Sequence, residues 1–477
     1  MRRLAAERGQ RPTRAVSVFG LGKLGLPFTV SLASRGFRVV AFDIRQEALN
    51  QVANGKAKGA EAPIETLLHG NLSRISIAED AEHAVLSSDV TFVVVATPSE
   101  PNGSFSPVYA EKAMAAIGSA LRKKNEFHLV VVVSTVEPGT CDLVFKPILE
   151  RESGKKCGID FGLCYNPEFI ALGEVVHGLL RPDMVLIGQS DLRSGNILAR
   201  IYRKFCENTP PIERMSLWNA ELAKIALNVY VTTKIAFANN LAAICERIPG
   251  GNVDAVTRAL GLDSRIGPAY LNGGLGYGGP CFPRDNRAFS HTATKFGGNS
   301  ALSVATDGSN SETNLRVFRR IMGSLAGVDD PRVAMLGITY KPNTNVVEES
   351  AALSITALLV QSGIRVGIYD PMGLSEARKI LKDKVEYFDS IEDCLADADL
   401  CVIATPWREF KKLQLPKLAK KMRRPTILDC WRILDGTKFR GKPRLSYSAI
   451  GIGGTAEELR SHKLPFTKHR RIESLVT

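Results

Sequence analysis

An α/β fold with two parallel-sheet domains joined by a central helical domain containing one long helix is predicted by three features. Short apolar runs bounded by turns alternate with helical stretches at both ends of the chain, the pattern of sheets covered on both faces. A stretch from Ser216 to Arg247 holds no glycine or proline and keeps its apolar residues at helical spacing. The two ends also echo one another. Gly36-Phe37-Arg38-Val39-Val40-Ala41-Phe42-Asp43 resembles Gly363-Ile364-Arg365-Val366-Gly367-Ile368-Tyr369-Asp370, and the segments 89–98 and 399–406 both end in Ala-Thr-Pro.

In order, Ala15–Phe19 reads as a first strand and a helix follows to about Arg35. Phe37–Phe42 is a second strand closed by Asp43. Val90–Ala96, Leu129–Val133 and Met184–Ile187 are further buried strands. The long helix is stopped by Pro249-Gly250-Gly251, a shorter helix covers Val253–Leu260, and strand-helix alternation returns from about Arg332. These readings divide the chain into a basic tail (1–13), a first sheet domain (14–212), a helical domain (213–315), a second sheet domain (316–460) and a basic tail (461–477).

A chain of 477 residues exceeds one ordinary core, and 44% apolar with 23% charged residues predicts a water-soluble globular protein. No apolar run is long enough to span a bilayer. Arg2, Arg3, Arg8, Arg11 and Arg14 are not followed by the apolar segment of a secretory signal. Nine scattered cysteines without Cys-x-x-Cys pairs argue for reduced thiols in the cytoplasm, against a disulfide framework and against a metal site. The net charge of +13 sits partly in the tails, including Lys463, Lys468, Arg470 and Arg471, and no basic stripe interleaved with aromatics suggests nucleic acid. The remaining charge suits an anionic small molecule.

Gly20-x-Gly22-x-x-Gly25 follows a strand and opens a helix, the fingerprint of a Rossmann-like dinucleotide site. The first glycine makes the turn, the second admits the pyrophosphate and the third lets helix and strand pack closely. Asp43, ending the second strand, is placed to hold the ribose 2′-hydroxyl, which favours NAD over NADP. Arg45 counts the other way, since a nearby arginine can accept a 2′-phosphate. Downstream, the segment from Gly273 to Asp285 sets Cys281 and Asp285 at the end of a glycine-rich loop, too rich in glycine to be a packed core. A thiol there can attack a carbonyl, and a carboxylate four residues on can direct water at the adduct.

The motifs Gly-Leu-Gly-Lys-Leu-Gly-Leu-Pro at Gly20, Ser-Thr-Val-Glu-Pro-Gly-Thr at Ser134, Tyr-Asn-Pro-Glu-Phe at Tyr165, Glu-Leu-Ala-Lys-Ile-Ala-Leu-Asn at Glu221, Arg265-Ile266-Gly267 and the Cys281 loop occur in this order. Over about Val16 to Leu434 the chain resembles the nucleotide-sugar dehydrogenases, the group oxidising UDP-glucose, GDP-mannose and UDP-N-acetylhexosamines. The resemblance implies four-electron oxidation of a sugar primary alcohol to an acid with two NAD per turn. Cys281 would trap the aldehyde as a thiohemiacetal and then carry a thioester. Lys224 and Asn228, four apart on one helix face, would stabilise oxyanions. Asp285 and Thr135 would hold or activate water, and Glu168 would assist proton transfer.

The resemblance further assigns Lys23, Leu24, Thr97, Pro98 and Thr135 to the cofactor beside the glycines, Asp43 and Arg45. It assigns Phe169, Lys224, Asn228, Tyr270, Gly278, Phe282, Lys341 and Arg432 to the substrate, and sends Arg265 toward a neighbouring active site in a dimer or higher homo-oligomer. Ordinary roles stay open: Cys281 as a small apolar residue, Lys224 as a solvated helix position, Asn228 as a helix residue bonded to backbone, Glu168 as a helix-terminal charge, Thr135 as a turn residue.

The chain departs from the pattern at Leu172, where a second glutamate is usual, at Arg284 in place of lysine, and at Glu348, where the usual aspartate and arginine of that segment are missing. Near Asp429 it departs again, with Trp431 displacing an arginine to position 432. These changes predict an atypical sugar or base, or altered regulation. Two other classes remain: a two-electron dehydrogenase of the 6-phosphogluconate or hydroxyacid type, and a non-catalytic nucleotide-sugar or NAD sensor. Family analogy suggests polysaccharide precursor synthesis.

Overall fold

The computed structural model describes residues 13, 15–57, 62–413, 419–439 and 445–456. The basic residues of both tails named above lie outside the described residues. The chain forms two compact units, one of residues 1–230 with 284–304 and one of residues 231–283 with 305–477.

The first unit is built on strands β1 (Ala15–Phe19), β2 (Arg38–Phe42), β3 (Ile75–Ile77), β4 (Val90–Val93), β5 (His128–Val132), β6 (Phe161–Tyr165), β7 (Val185–Gln189) and β8 (Ile212–Ser216). They form one sheet in the order β3-β2-β1-β4-β5-β6-β7-β8. Alternate residues feed cores on opposite faces: Val16, Val39, Leu129 and Val131 pack on one side, Phe19, Val40, Val130 and Val132 on the other. That double burial is why the strands read as continuous apolar runs.

The sheet departs from the all-parallel expectation at one place: β7 pairs with β6 antiparallel, and β8 follows β7 in parallel. Strand β4 also stops at Val93, short of the expected Ala96. The Ser134 hydroxyl accepts from the Val95 N–H at 2.9 Å and donates to the Val95 carbonyl at 2.6 Å. Those side-chain bonds replace the ladder and turn the chain out of the sheet.

The second unit carries β9 (Arg332–Leu336), β10 (Arg365–Tyr369), β11 (Glu386–Tyr387), β12 (Leu400–Ile403), β13 (Thr426–Asp429) and β14 (Ser446–Ala449), in the order β11-β10-β9-β12-β13-β14. Its first five strands repeat the connectivity of β1 to β5. The repeat extends to detail. Gly20, at φ +97°, donates its N–H to Phe42 at 2.8 Å, and Gly337, at φ +92°, donates to Tyr369 at 2.8 Å. The long helix is present as Leu217–Cys245 and the shorter one as Val253–Leu262. Among the described residues no helix is long and apolar enough to cross a membrane.

One polar chain runs through the apolar interior of the first sheet. The Ser88 hydroxyl donates to Ser17 at 2.9 Å, Ser17 and Thr91 share a 2.7 Å bond, and Thr91 meets His128 Nε2 at 2.8 Å. Burial, with the nearby Lys124 charge, holds the His128 imidazole well below its ordinary 6.5. The unfolded chain therefore binds a proton below about pH 6.5 that the folded chain refuses, so stability is lost as pH falls through that value. The unfolding free energy from urea titrations should fall between pH 7.5 and 5.5 by up to about 1.4 kcal/mol per pH unit in the wild type relative to His128→Gln, a difference that cancels the opposing contribution of any carboxyl titrating in that range.

Candidate functional site

The C-terminal ends of β1, β2 and β4 converge on the glycine fingerprint. A Cβ at Gly25 would lie 1.8 Å from the Gly20 carbonyl oxygen, and one at Gly20 would lie 2.4 Å from that of Val94. Both glycines are therefore required by the protein itself. A Cβ at Gly22 would meet nothing within 4 Å, and Gly22 and Lys23 are exposed. The helix Gly25–Ser34 follows with Leu24 at its N-cap, no side-chain cap and no acid in its first turn. Uncapped N–H groups beside open space suit a pyrophosphate. Gly20 and Gly25 are accounted for by the protein's own packing, whereas at position 22 the packing does not itself require glycine.

Asp43 is buried at the end of β2. Its Oδ2 accepts from the Leu21 N–H at 2.7 Å and its Oδ1 from the Arg45 N–H at 2.8 Å. The Arg45 side chain adds Nε to Oδ1 and Nη2 to Oδ2, each at 3.1 Å. Burial raises the Asp43 carboxyl, but the Arg45 side chain and the two backbone donors outweigh it and hold it below the usual range. Opposite, the Thr97 hydroxyl donates to the Thr135 carbonyl at 2.7 Å, joining the loops after β4 and β5. Pro98 follows Thr97 and is exposed.

The same unit assembles a second cluster. Lys224 and Asn228 are buried on the long helix, which settles the face that their apolar neighbours left open. Asn228 Nδ2 donates to Asp285 Oδ2 at 2.6 Å, and Arg284 Nε reaches Oδ1 at 3.2 Å. Asp285 itself is sealed from water and stands in the first turn of the helix Phe282–Lys295. The Lys224 ammonium lies 4.9 Å from the Phe169 ring centroid. Glu168 is half-buried and accepts from the Tyr202 hydroxyl at 3.1 Å. Burial pushes its carboxyl up to about 7, against the opposing pull of Tyr202 and Lys224. A carboxyl that titrates near neutrality suits proton transfer.

Two partners here were not foreseen. Glu137, within the Ser134 motif, pairs with His291 at 2.7 Å and Lys295 at 3.5 Å, fastening the Thr135 segment to the helix that carries Asp285. Tyr202, an unremarked helix residue, bridges Asn166 and Glu168. Leu172, one of the departures, packs partly buried against the core beneath the sheet.

The second unit carries Cys281, whose side chain is exposed. The loop leading to it corrects the expectation that so many glycines cannot be packed. Gly273, Gly274, Gly278 and Gly279 are buried against their own unit. A Cβ at Gly278 would sit 2.1 Å from the Glu349 carbonyl oxygen, and Gly279, at φ +82°, lies against the Tyr340 ring and donates its N–H to Glu348 at 3.1 Å. The glycines thus admit neighbouring protein more than ligand, and the atypical Glu348 segment is the backing of the Cys281 loop. Phe282 stacks edgewise with Tyr270 and Tyr277. Tyr340 is electrostatically coupled to Cys281, and burial pushes its phenol well above the usual range.

Lys341 is half-buried. Arg432 is nearly enclosed, and its three nitrogens bind Asp254 at 2.8 Å, the Ile450 carbonyl at 2.9 Å and the Gly273 carbonyl at 2.6 Å. Its neighbour Trp431 packs on Gly274 and donates to the Ala404 carbonyl at 2.8 Å. Arg265 is exposed and folds back on Asp263 at 2.6 Å.

Two outcomes follow from these contacts. Gly22→Ala should retain wild-type stability within about 0.5 kcal/mol yet lose NADH binding measured by fluorescence, whereas Gly25→Ala should lose about 1–3 kcal/mol or more in urea unfolding. Glu168→Gln should lower kcat by about 10²–10⁴-fold and remove a limb near pH 7 from the wild-type pH–rate profile.

Family models match the chain in three consecutive segments: the NAD binding domain of the UDP-glucose/GDP-mannose dehydrogenase family over residues 14–206, its central domain over 218–312 and its UDP binding domain over 334–436. The chain is 32% identical to the UDP-glucose 6-dehydrogenase TuaD of Bacillus subtilis, covering 87% of this chain and 88% of that one. It is 34% identical to the UDP-glucose 6-dehydrogenase AglM of Haloferax volcanii, covering 83% and 92%. Among solved structures it is similar to a UDP-glucose dehydrogenase from Pyrobaculum islandicum, with a TM-score of 0.83 at 33% identity over 93% of this chain and 99% of that one. The glycine turn with open space at Gly22 agrees with the matches along the chain, and the protein belongs to the UDP-glucose/GDP-mannose dehydrogenase family as an NAD-dependent nucleotide-sugar dehydrogenase.

Proposed function

We propose that this enzyme oxidises the C6 alcohol of a UDP-hexose to a carboxylate in two steps at one site, with UDP-glucose as the first substrate to test. The matches named UDP-glucose 6-dehydrogenase reach 34% identity, against 25% for a similar structure named as a UDP-D-ManNAc dehydrogenase from Pyrococcus horikoshii. The single observation that carries the mechanism is the exposed Cys281 thiol immediately ahead of a helix whose first turn holds the buried, Asn228-bound Asp285.

Bound NAD supplies the hydride acceptor for each oxidation, held by the Gly20–Gly25 turn, Asp43 and the Thr97–Thr135 loops. The first oxidation turns the C6 alcohol into an aldehyde. The Cys281 sulfur then adds to its carbon as the C=O double bond opens and the thiol proton passes to that oxygen, and the thiohemiacetal keeps the half-oxidised sugar from leaving. After the second oxidation that carbon is a thioester. Water, ordered by Asp285 and Thr135, adds its oxygen to that carbon as the C–S bond breaks, and a proton returns to the sulfur, so the carboxylic acid is released and the thiol regenerated. Lys224 and Asn228 stabilise negative charge on the C6 oxygen as it develops, an effect strengthened by their burial. Glu168 moves the proton that accompanies hydrolysis.

The three functional segments are read as cofactor domain (14–212), helical domain (213–315) and nucleotide-sugar domain (316–460). The exposed Leu222, Tyr230, Phe237 and Ile244 recur every seven or eight residues along one face of the long helix. That stripe suits pairing with a second copy, which would also give Arg265 a neighbour to reach.

Incubating the enzyme with UDP-glucose, UDP-N-acetylmannosamine or GDP-mannose and excess NAD, and counting NADH per substrate consumed, tests the reading. Two NADH and a uronic acid are expected; one NADH with a stable carbonyl product would favour the two-electron alternative. Cys281→Ser should lower acid formation by more than about 10³-fold while NADH binding is kept. Acid formation at the wild-type rate would exclude a covalent role for the thiol.

A further inference from the structure

Each Asp43 carboxylate oxygen already has two donors: the Arg45 N–H and Nε on Oδ1, the Leu21 N–H and Arg45 Nη2 on Oδ2. An ionised carboxylate offers about four acceptor positions, so all are in use. The two backbone donors are fixed by the turn. The other two come from one guanidinium in a fork, the geometry that matches a carboxylate best. The Asp43 side chain is 5% exposed, whereas that of Arg45 is 63% exposed. The partner that can leave is therefore Arg45, and it stands on the solvent side of the carboxylate. Ile44 beside it is 86% exposed, an apolar surface with no protein covering it.

We propose that Arg45 is a specificity-determining residue for the cofactor, acting as a movable cover on Asp43. For NAD, two ribose hydroxyls take over the two acceptor positions that the guanidinium vacates. For NADP, the released guanidinium pairs with the 2′-phosphate and offsets its repulsion by Asp43. The cover weakens the preference for NAD that Asp43 alone would impose. The exposed Ile44 gives the adenine an apolar face on which to rest.

The inference rests on placing the cofactor at the Gly20–Gly25 turn, and NADH binding to the wild-type enzyme reports on that placement separately. Dissociation constants of NADH and NADPH are to be measured by titration calorimetry for the wild-type enzyme and for Arg45→Ala. Asp43 keeps its two backbone donors in the variant, and the lost pair is exposed, so the melting temperature should stay within about 2 °C. Wild type should bind NADPH measurably. In Arg45→Ala the ratio of the NADPH to the NADH dissociation constant should rise about 5-fold or more, with NADH bound at least as tightly as before. Wild type that binds NADH without detectable NADPH binding overturns the proposal. A ratio that rises less than about 5-fold, or a weakening shared by both ligands, overturns it as well.

Discussion

Asp285 is a carboxylate shut away from water, and the arrangement around it depends on its being paired. An unpartnered charge in that position would cost several kcal/mol. Asn228 and Arg284 supply the partners at 2.6 and 3.2 Å, so the buried face of the long helix and the first turn of the helix Phe282–Lys295 are held in one register. Lys224 lies one turn earlier on the same buried face. His291 and Lys295, further along the second helix, bind Glu137 and so draw the loop after β5 toward the same cluster. The buried Asp285 thus fixes the amide of Asn228, while Glu137 fastens the threonine loop to the same helix.

The two sheets share a device and use it differently. In each, an aspartate ending the second strand accepts N–H groups from the turn after the first. Asp43 leaves its outer side to the exposed side chain of Arg45. Asp370 binds the Ile338 and Thr339 N–H groups, the Thr339 hydroxyl and the Trp407 indole, with Met372 and Gly373 on its other oxygen. Trp407 is buried, so that carboxylate is closed by its own unit. The two sheets thus share a turn architecture but differ at this carboxylate, and the family models over them differ as well, an NAD binding domain on the first and a UDP binding domain on the second.

Much of this was legible in the sequence because its causes are local. Gly20, Gly22, Gly25 and Asp43 lie within one strand-helix-strand unit, where spacing fixes geometry. The absence of glycine and proline between Ser216 and Arg247 was enough to define the long helix. What was not legible depends on segments far apart in the chain. The Glu137–His291 pair spans 154 positions, and the Arg432–Gly273 bond spans 159. The early end of β4 is set by the tertiary bonds of Ser134 rather than by apolar pattern, and the antiparallel direction of β7 leaves no mark in that pattern either. The Cys281 loop shows the same limit: glycine announces a close approach, but only the fold tells whether ligand or neighbouring backbone makes it.

The central claim is that one sulfur holds the sugar between two oxidations. Its most direct test is intact and peptide mass spectrometry of the Glu168→Gln enzyme, quenched in acid during turnover with NAD and UDP-glucose. Slowed hydrolysis should leave the peptide containing Cys281 heavier by the substrate mass less four hydrogens, the mass of a thioester. Turnover to the acid with that peptide unmodified at every time point would contradict the account.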